Sequence, residues 1–124
     1  MNLTVFVLIL ASVLLSAIAQ ITLKIGMSSL LVQQAISSAS SLAIFQSIIT
    51  NIYIIGGLTL YFTSAAVWLF VLAKVDVSFA YPFVGLGFIV TMLLAYFING
   101  EILSATKVIG TLCIAIGIAI VAQG

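Results

Sequence analysis

Long apolar runs with few charges leave this chain little choice of fold. They cover about residues 3–23, 48–73, 79–98 and 106–122. Crossing a hydrocarbon core of roughly 30 Å takes about 20 apolar residues in an α-helix, because every backbone polar group must be bonded internally. The runs are continuous and do not alternate in polarity, which excludes a transmembrane β-barrel. The sequence therefore predicts an all-α bundle of four transmembrane helices, a single domain over residues 1–124.

Charged side chains are too few for a solvated protein surface. They make up 4% of the chain, against 65% hydrophobic residues, whereas roughly a quarter of a soluble domain is charged. A formal net charge of +1 provides no basic patch for nucleic acid. The chain has no histidine and a single cysteine, Cys113, and its acidic residues, Asp76 and Glu101, stand far apart. We therefore expect an integral membrane protein that is not an enzyme and has no metal or cofactor site.

The first run resembles a signal peptide in one respect only. Ala17-Ile18-Ala19 matches a small-residue cleavage pattern, but the opening MNLTVF has no basic residue, so we expect the segment to remain as the first helix. The lysines leave the orientation open. Lys24 and Lys107 would flank one side of the membrane, and Lys74 would share the other side with the N-terminus.

The connections between the runs differ in length. Residues 26–41, GMSSLLVQQAISSASS, form either a loop or a short interfacial helix. KVDVS and Asn99-Gly100-Glu101 mark two short turns. Either Ser104 or Thr106 can cap the last helix, and Lys107 beside them can snorkel.

A polar stripe runs along the first predicted helix. Ser12, Ser16, Gln20 and Lys24 follow one another in steps of four, which places them on one face. Packing and bonds to their own i−4 carbonyls explain the serines about as well as a functional role does, and snorkelling to the headgroups explains Lys24 nearly as well. Gln20 lies one turn inside the membrane and needs hydrogen-bond partners. We expect it to face the bundle interior or a wet cavity.

The third run begins AYPF. Pro82 fits the first turn of a helix, where its missing N–H breaks no bond, and Tyr81 would place a hydroxyl near the membrane interface. Gly85 and Gly87 either weaken this helix or admit close neighbours.

In the last run, Gly110 and Gly117 stand seven residues apart on one face. Small residues at that spacing let another helix approach closely, and packing within the chain or between chains explains them equally well. Glu101 follows a turn glycine, where an interfacial carboxylate is ordinary.

These features resemble those of the drug/metabolite transporter superfamily, whose units pair an AYP-type helix with a GE turn and a glycine-rich last helix; residues 75–121 contain all three. Among its four-helix members, the small multidrug resistance family places an essential glutamate eight residues before a lysine in the first helix. Here that position, counted back from Lys24, is Ser16, so the coupling acid is absent. Gly110 and Gly117 are similar to that family's dimerisation spacing.

The chain looks more like the small flippase subunits for lipid-linked 4-amino-4-deoxy-L-arabinose. Their first helix reads LLS-x-x-x-Q-x-x-x-K, and this chain has Leu14-Leu15-Ser16, Gln20 and Lys24 in that register. WLFVLAKVDVSFAYPF resembles their W-L-x-V-L-x-x-V-P-V-x-x-A-Y-P, with Asp76 in place of proline, and the GE turn supplies Glu101. The likeness covers nearly the full length.

The resemblance implies an inner-membrane transporter or flippase for a polyprenyl-phosphate-linked sugar or a similar amphiphile. Lys24 would pair with phosphate, and Gln20 and Ser16 would bond polar headgroup atoms. Glu101 would attract a cationic amino group or balance the lysine. Further substrate-binding candidates on the stripe or among the aromatic residues are Ser12, Tyr61, Trp68 and Tyr81.

Four short helices cannot easily enclose a polar headgroup, and alternating-access cavities usually lie between repeats or protomers. We therefore expect a dimer in contact with membrane lipids, either a homodimer or a heterodimer with a sister four-helix subunit, with Gly110 and Gly117 at its interface. Two alternatives remain. One is an exporter of cationic or amphipathic small molecules that uses Glu101 or Asp76 for proton coupling, and the other is a non-transporting assembly subunit.

Overall fold

The computed structural model describes residues 3–124, and no strand occurs among them. The helices are α1 (Leu3–Met27), α2 (Leu30–Ser37), α3 (Ser41–Ile49), α4 (Ile52–Leu72), α5 (Val77–Ala80), a 3-10 turn (Tyr81–Phe83), α6 (Val84–Asn99) and α7 (Ala105–Val121). Three helical stretches are long and apolar enough to cross a membrane, namely Leu3–Met27, Ile52–Leu72 and Val77–Asn99. The shorter α7 is also apolar. The all-helical membrane fold predicted from the apolar runs is confirmed.

Helix α1 is the centre of the bundle, because it packs against both α4 and α6, while α7 packs against α6. The buried core lies near the start of α1, where Val5 meets Val71 of α4, Phe83 of the 3-10 turn and Ile118 of α7. We call this the core end. Since Ile118 is the buried residue of α7, the first half of that helix is free of the core.

At the opposite end, α1 and α4 are joined by Asn51. Its Nδ2 donates to the carbonyl of Gly26 at 3.1 Å and to Ser29 Oγ at 3.2 Å, while its Oδ1 accepts from the N–H groups of Tyr53 and Ile54. Asn51 thereby caps α4 and separates it from α3, whereas the sequence predicted one span over residues 48–73. We call this the open end; it also holds the turn between α6 and α7.

The third span differs in detail from the predicted helix over residues 79–98. It consists of α5, the 3-10 turn around Pro82 and α6. Pro82 has no N–H to donate to the carbonyl of Ser78, so the chain tightens into i→i+3 bonding before α6 begins. The small residue at Gly85 admits α7 closely, since a Cβ built there would lie 2.7 Å from Cγ2 of Ile114.

The polar segment at residues 26–41 contains a short helix, the second of the two alternatives: α1 extends to Met27, beyond the predicted end at residue 23, and α2 follows after a turn. Ser29 caps α2 and Ser40 caps α3, and Gln33 Nε2 donates to the carbonyl of Met27 at 2.7 Å. Leu30 and Leu42 of this pair are strongly exposed within the chain. The two helices therefore present apolar side chains outward, as interfacial helices do.

The turn into α7 is held by Gly100 and Ser104. Gly100 adopts a left-handed conformation with φ of 67°, which favours glycine, and it orients Glu101, whose N–H donates to the carbonyl of Ala95. Ser104, rather than Thr106, caps α7 by accepting from the N–H of Lys107 at 3.2 Å.

Candidate functional site

A cavity of about 740 Å³ lies between α1, α4, α6 and α7. It exists because the first half of α7 leaves the core, so the helices diverge towards the open end. Its polar lining comes from every one of these helices and from the turn before α7: Ser16, Gln20, Tyr61, Thr91, Glu101, Thr106, Lys107 and Thr111. The rest of the lining is mostly apolar and includes Phe88, Met92 and Ile114.

A second cavity of about 220 Å³ adjoins the first, because both are lined by Ser16, Tyr61, Val84 and Gly87. It continues towards the core end, where Trp68 and Tyr81 line it. We call the two cavities together the groove. Its open end carries the charged side chains of Glu101 and Lys107, and its far end carries the aromatic side chains of Trp68 and Tyr81 beside small and hydroxyl-bearing residues.

Ser12 mainly holds α1 against α4. Its hydroxyl donates to the carbonyl of Ser64 at 2.9 Å, and the Ser64 hydroxyl donates back to the carbonyl of Ser12 at 3.0 Å. Both side chains are buried, and both also line the smaller cavity. The proton of each hydroxyl is therefore used in a hydrogen bond between α1 and α4, and each hydroxyl oxygen can still accept a hydrogen bond from the groove.

Ser16 and Gln20 are the members of the polar stripe that line the larger cavity. Within residues 3–124, neither side chain has a hydrogen-bond partner, and Gln20 is exposed on the groove side. The amide that the sequence places inside the membrane and expects to require partners thus meets none within the described chain. It presents two N–H donors and a carbonyl acceptor to whatever fills the cavity.

Lys24 lies outside the lining of both cavities and is exposed. Its carbonyl accepts from the backbone and hydroxyl of Ser28 where α1 ends. The lysine that does line the larger cavity is Lys107. Sequence reasoning interpreted Lys107 as a snorkelling residue, because a linear pattern does not show that the start of α7 lies opposite the polar stripe of α1.

Four more lining residues were not assigned to the site from the sequence, where Thr106 was considered only as a helix cap: Ser64, Thr91, Thr106 and Thr111. Single hydroxyls inside apolar runs give no periodic signal, so hydropathy does not single them out. Tyr61, Trp68, Tyr81 and Glu101 were named from the sequence, and all four line the groove.

Gly110 and Gly117 have no close neighbour within the described chain. A Cβ built at either position would meet nothing within 4 Å, and Gly110 borders the larger cavity. By contrast, the space beside Gly57 of α4 is occupied by the side chain of Leu23, which would lie 2.8 Å from a Cβ built at Gly57. The two glycines of α7 therefore do not serve helix packing inside this part of the chain.

Titratable groups in the groove are limited to a few types. Among residues 3–124, no cluster of three His, Cys, Asp or Glu side chains could hold a metal ion, and Cys113 is exposed on α7. The groove can thus offer one carboxylate, one ammonium, several hydroxyls and an amide along an apolar wall. That combination suits a ligand with charged, hydroxyl-rich and apolar parts.

Comparison with known proteins gives one informative relative. No family model and no solved structure matches the chain. A protein of Proteus mirabilis described as a probable 4-amino-4-deoxy-L-arabinose-phosphoundecaprenol flippase subunit, ArnF, is 33% identical over 117 residues, which cover 92% of this chain and 88% of the relative. The resemblance drawn from the polar stripe, the AYPF segment and the GE turn is confirmed. The chain belongs to the ArnF family of flippase subunits, and it is a multi-pass protein of the inner membrane.

Proposed function

We propose that this protein is one subunit of a flippase that moves a polyprenyl-phosphate-linked amino sugar, or an amphiphile of the same build, across the inner membrane. The observation that carries the proposal is the groove. It joins residues from four helices into one path that is charged at the open end and beyond it offers hydroxyls and an amide along an apolar wall that includes aromatic side chains. A headgroup that bears both charges and hydroxyls matches this sequence of surfaces, and the lipid tail can remain in the bilayer alongside.

The polar side chains have distinct roles in this proposal. Gln20 and Ser16 bond sugar hydroxyls from α1, because their donors and acceptors are not satisfied within the described chain. Glu101 attracts the cationic amino group at the open end. Trp68 and Tyr81 bound the path at the core end, where flat aromatic faces suit the apolar faces of a sugar ring.

The groove is open on one side, and a second four-helix unit would close it. Alternating access in small transporters relies on two such units moving against each other. Gly110 and Gly117 offer the unfilled surface where a partner helix can approach. A sister subunit is the partner we favour, because the relative is itself described as a subunit.

The experiment is a flipping assay in proteoliposomes that contain the full chain and the subunit that co-purifies with it. The substrate is polyprenyl-phosphate-linked 4-amino sugar placed in one leaflet. A membrane-impermeant amine reagent on the other side labels only molecules that have crossed. We expect labelling well above that of protein-free vesicles.

Gln20→Ala should lower the flipping rate about ten-fold, because the loss of hydrogen bonds to a substrate in a site of low polarity is worth roughly that factor. Gln34→Ala is the matched control. Gln34 is exposed on α2 and lies outside the groove, so its loss should leave the rate unchanged. Equal rates for both variants would contradict the assigned role, and labelling no higher than in protein-free vesicles would contradict the function.

A further inference from the structure

The chain has three basic side chains, all of them lysines, and each lies in a different part of the structure. Lys24 is exposed at the end of α1 and lies outside the groove. Lys74 lies near Asp76 around a surface depression at the core end. Lys107 lines the larger cavity, together with Thr106 beside it and Gln20 on α1. The groove therefore contains one ammonium among the described residues, and it is not the lysine of the polar stripe.

The Lys107 ammonium is positioned but not saturated. Within the described chain, Nζ donates one hydrogen bond, to the carbonyl of Ile102 at 3.2 Å. An ammonium has three N–H donors, so two remain for a ligand. The turn that holds it is itself fixed, since the hydroxyl of Thr111 contacts the carbonyl of Lys107 at 2.7 Å and Sδ of Met92 on α6 at 3.2 Å.

The position of Lys107 is unfavourable for a merely structural cation. It lies in the first turn of α7, where the helix dipole disfavours positive charge and favours an anion. Lys107, like Lys24, is exposed within the described chain, and snorkelling accounts for that exposure. What distinguishes Lys107 is that it lines the larger cavity together with Glu101. Its hydrogen bond goes to Ile102, so the carboxylate of Glu101 remains free to meet a different charge.

We infer that Lys107, rather than Lys24, contacts the phosphate oxygens of the lipid substrate, and that it determines the preference for phosphate-bearing over neutral polyprenyl lipids. The inference rests on the function proposed above. A phosphate at Lys107 and an amino group at Glu101 would place both charges of a zwitterionic headgroup at the open end. The sugar ring, which links these two charges, would then lie between them and present its hydroxyls along the groove towards Ser16 and Tyr61.

The test measures binding, independently of flipping. The full chain in nanodiscs is titrated with polyprenyl phosphate, with polyprenol of the same length and with inorganic phosphate, and bound lipid is counted by native mass spectrometry. Lys107→Gln should weaken binding of polyprenyl phosphate about ten- to hundred-fold, the range for a lost charge-assisted hydrogen bond. Lys107→Arg should restore most of it, and polyprenol binding should not change.

Lys74→Gln is the matched control, because it removes the same charge at the opposite end, and it should bind as the wild type does. If Lys24→Gln loses phosphate preference while Lys107→Gln keeps it, the inference is overturned and the flippase function stands. If inorganic phosphate displaces the lipid as effectively as polyprenyl phosphate does, Lys107 serves free phosphate and the lipid assignment is overturned. If the wild type neither flips the lipid nor prefers polyprenyl phosphate to polyprenol, the proposed function and this inference both fail.

Discussion

Ser12 and Ser64 should stabilise the bundle through their reciprocal hydrogen bonds, rather than bind substrate. Each hydroxyl donates to the other residue's carbonyl, at 2.9 and 3.0 Å. An interhelical hydrogen bond in a membrane protein contributes about 0.6 kcal/mol on average and about 1.7 at most. Ser12→Ala and Ser64→Ala should therefore each lower the free energy of unfolding by about 0.6–1.7 kcal/mol.

The double variant should lose about 1–3 kcal/mol, close to the sum, because the two bonds use different donor and acceptor pairs. The measurement is reversible unfolding in bicelles. Thr59→Ala is the control, because its hydroxyl bonds the carbonyl of Ile55 within α4 at 2.9 Å and joins no two helices. If Ser12→Ala is no less stable than Thr59→Ala, the pairing does not hold α1 to α4. A loss of lipid affinity in Ser12→Ala without a loss of stability would instead support the substrate role expected from the sequence.

Two further predictions concern the same helix pair and use the same unfolding measurement. Gly57→Ala should destabilise the protein by about 1–3 kcal/mol, because the new Cβ would lie 2.8 Å from Leu23 Cγ and 3.2 Å from the Leu23 backbone N. Gly56→Ala is the control, since a Cβ at Gly56 has nothing within 4 Å, and it should be neutral or gain about 0.5–1 kcal/mol. Equal stabilities of the two variants would refute the close approach of α1 and α4 at Gly57. Asn51→Ala should cost about 2–4 kcal/mol, from the lost helix cap and the lost bonds to Gly26 and Ser29. Asn51→Ser should recover only the cap, about 1 kcal/mol, and full recovery would show that the bonds to α1 contribute nothing.

Much of the fold could be predicted because hydrocarbon imposes it. A run such as residues 3–23 has no alternative to a helix in a membrane, so the spans follow from hydropathy. The places where prediction differed depend on single side chains. Asn51 ends one helix and begins the next by satisfying two free N–H groups, and Pro82 removes one bond. A single asparagine or proline lowers the average hydropathy of such a run too little to mark these boundaries.

The groove was predicted in part. Gln20 and Ser16 could be named because polar groups in steps of four stand out against an apolar background. Lys107 could not be assigned to the groove, since its place depends on the first half of α7 lying away from the core, across the cavity from α1. Hydropathy carries no information about which helices are neighbours, so the contacts that join α1 to α4 and α7 to α6 had to come from the structure.

Photo-crosslinking tests the central claim, that the groove holds the headgroup, most directly. A polyprenyl-phosphate amino sugar with a photoreactive group on the headgroup is irradiated in membranes that contain the protein, and the adducts are mapped by peptide sequencing. The groove predicts adducts on peptides with Gln20, Tyr61 and Lys107, removed by unlabelled substrate. Adducts confined to side chains outside the groove, such as Phe6 and Phe70, and unaffected by competition, would contradict it.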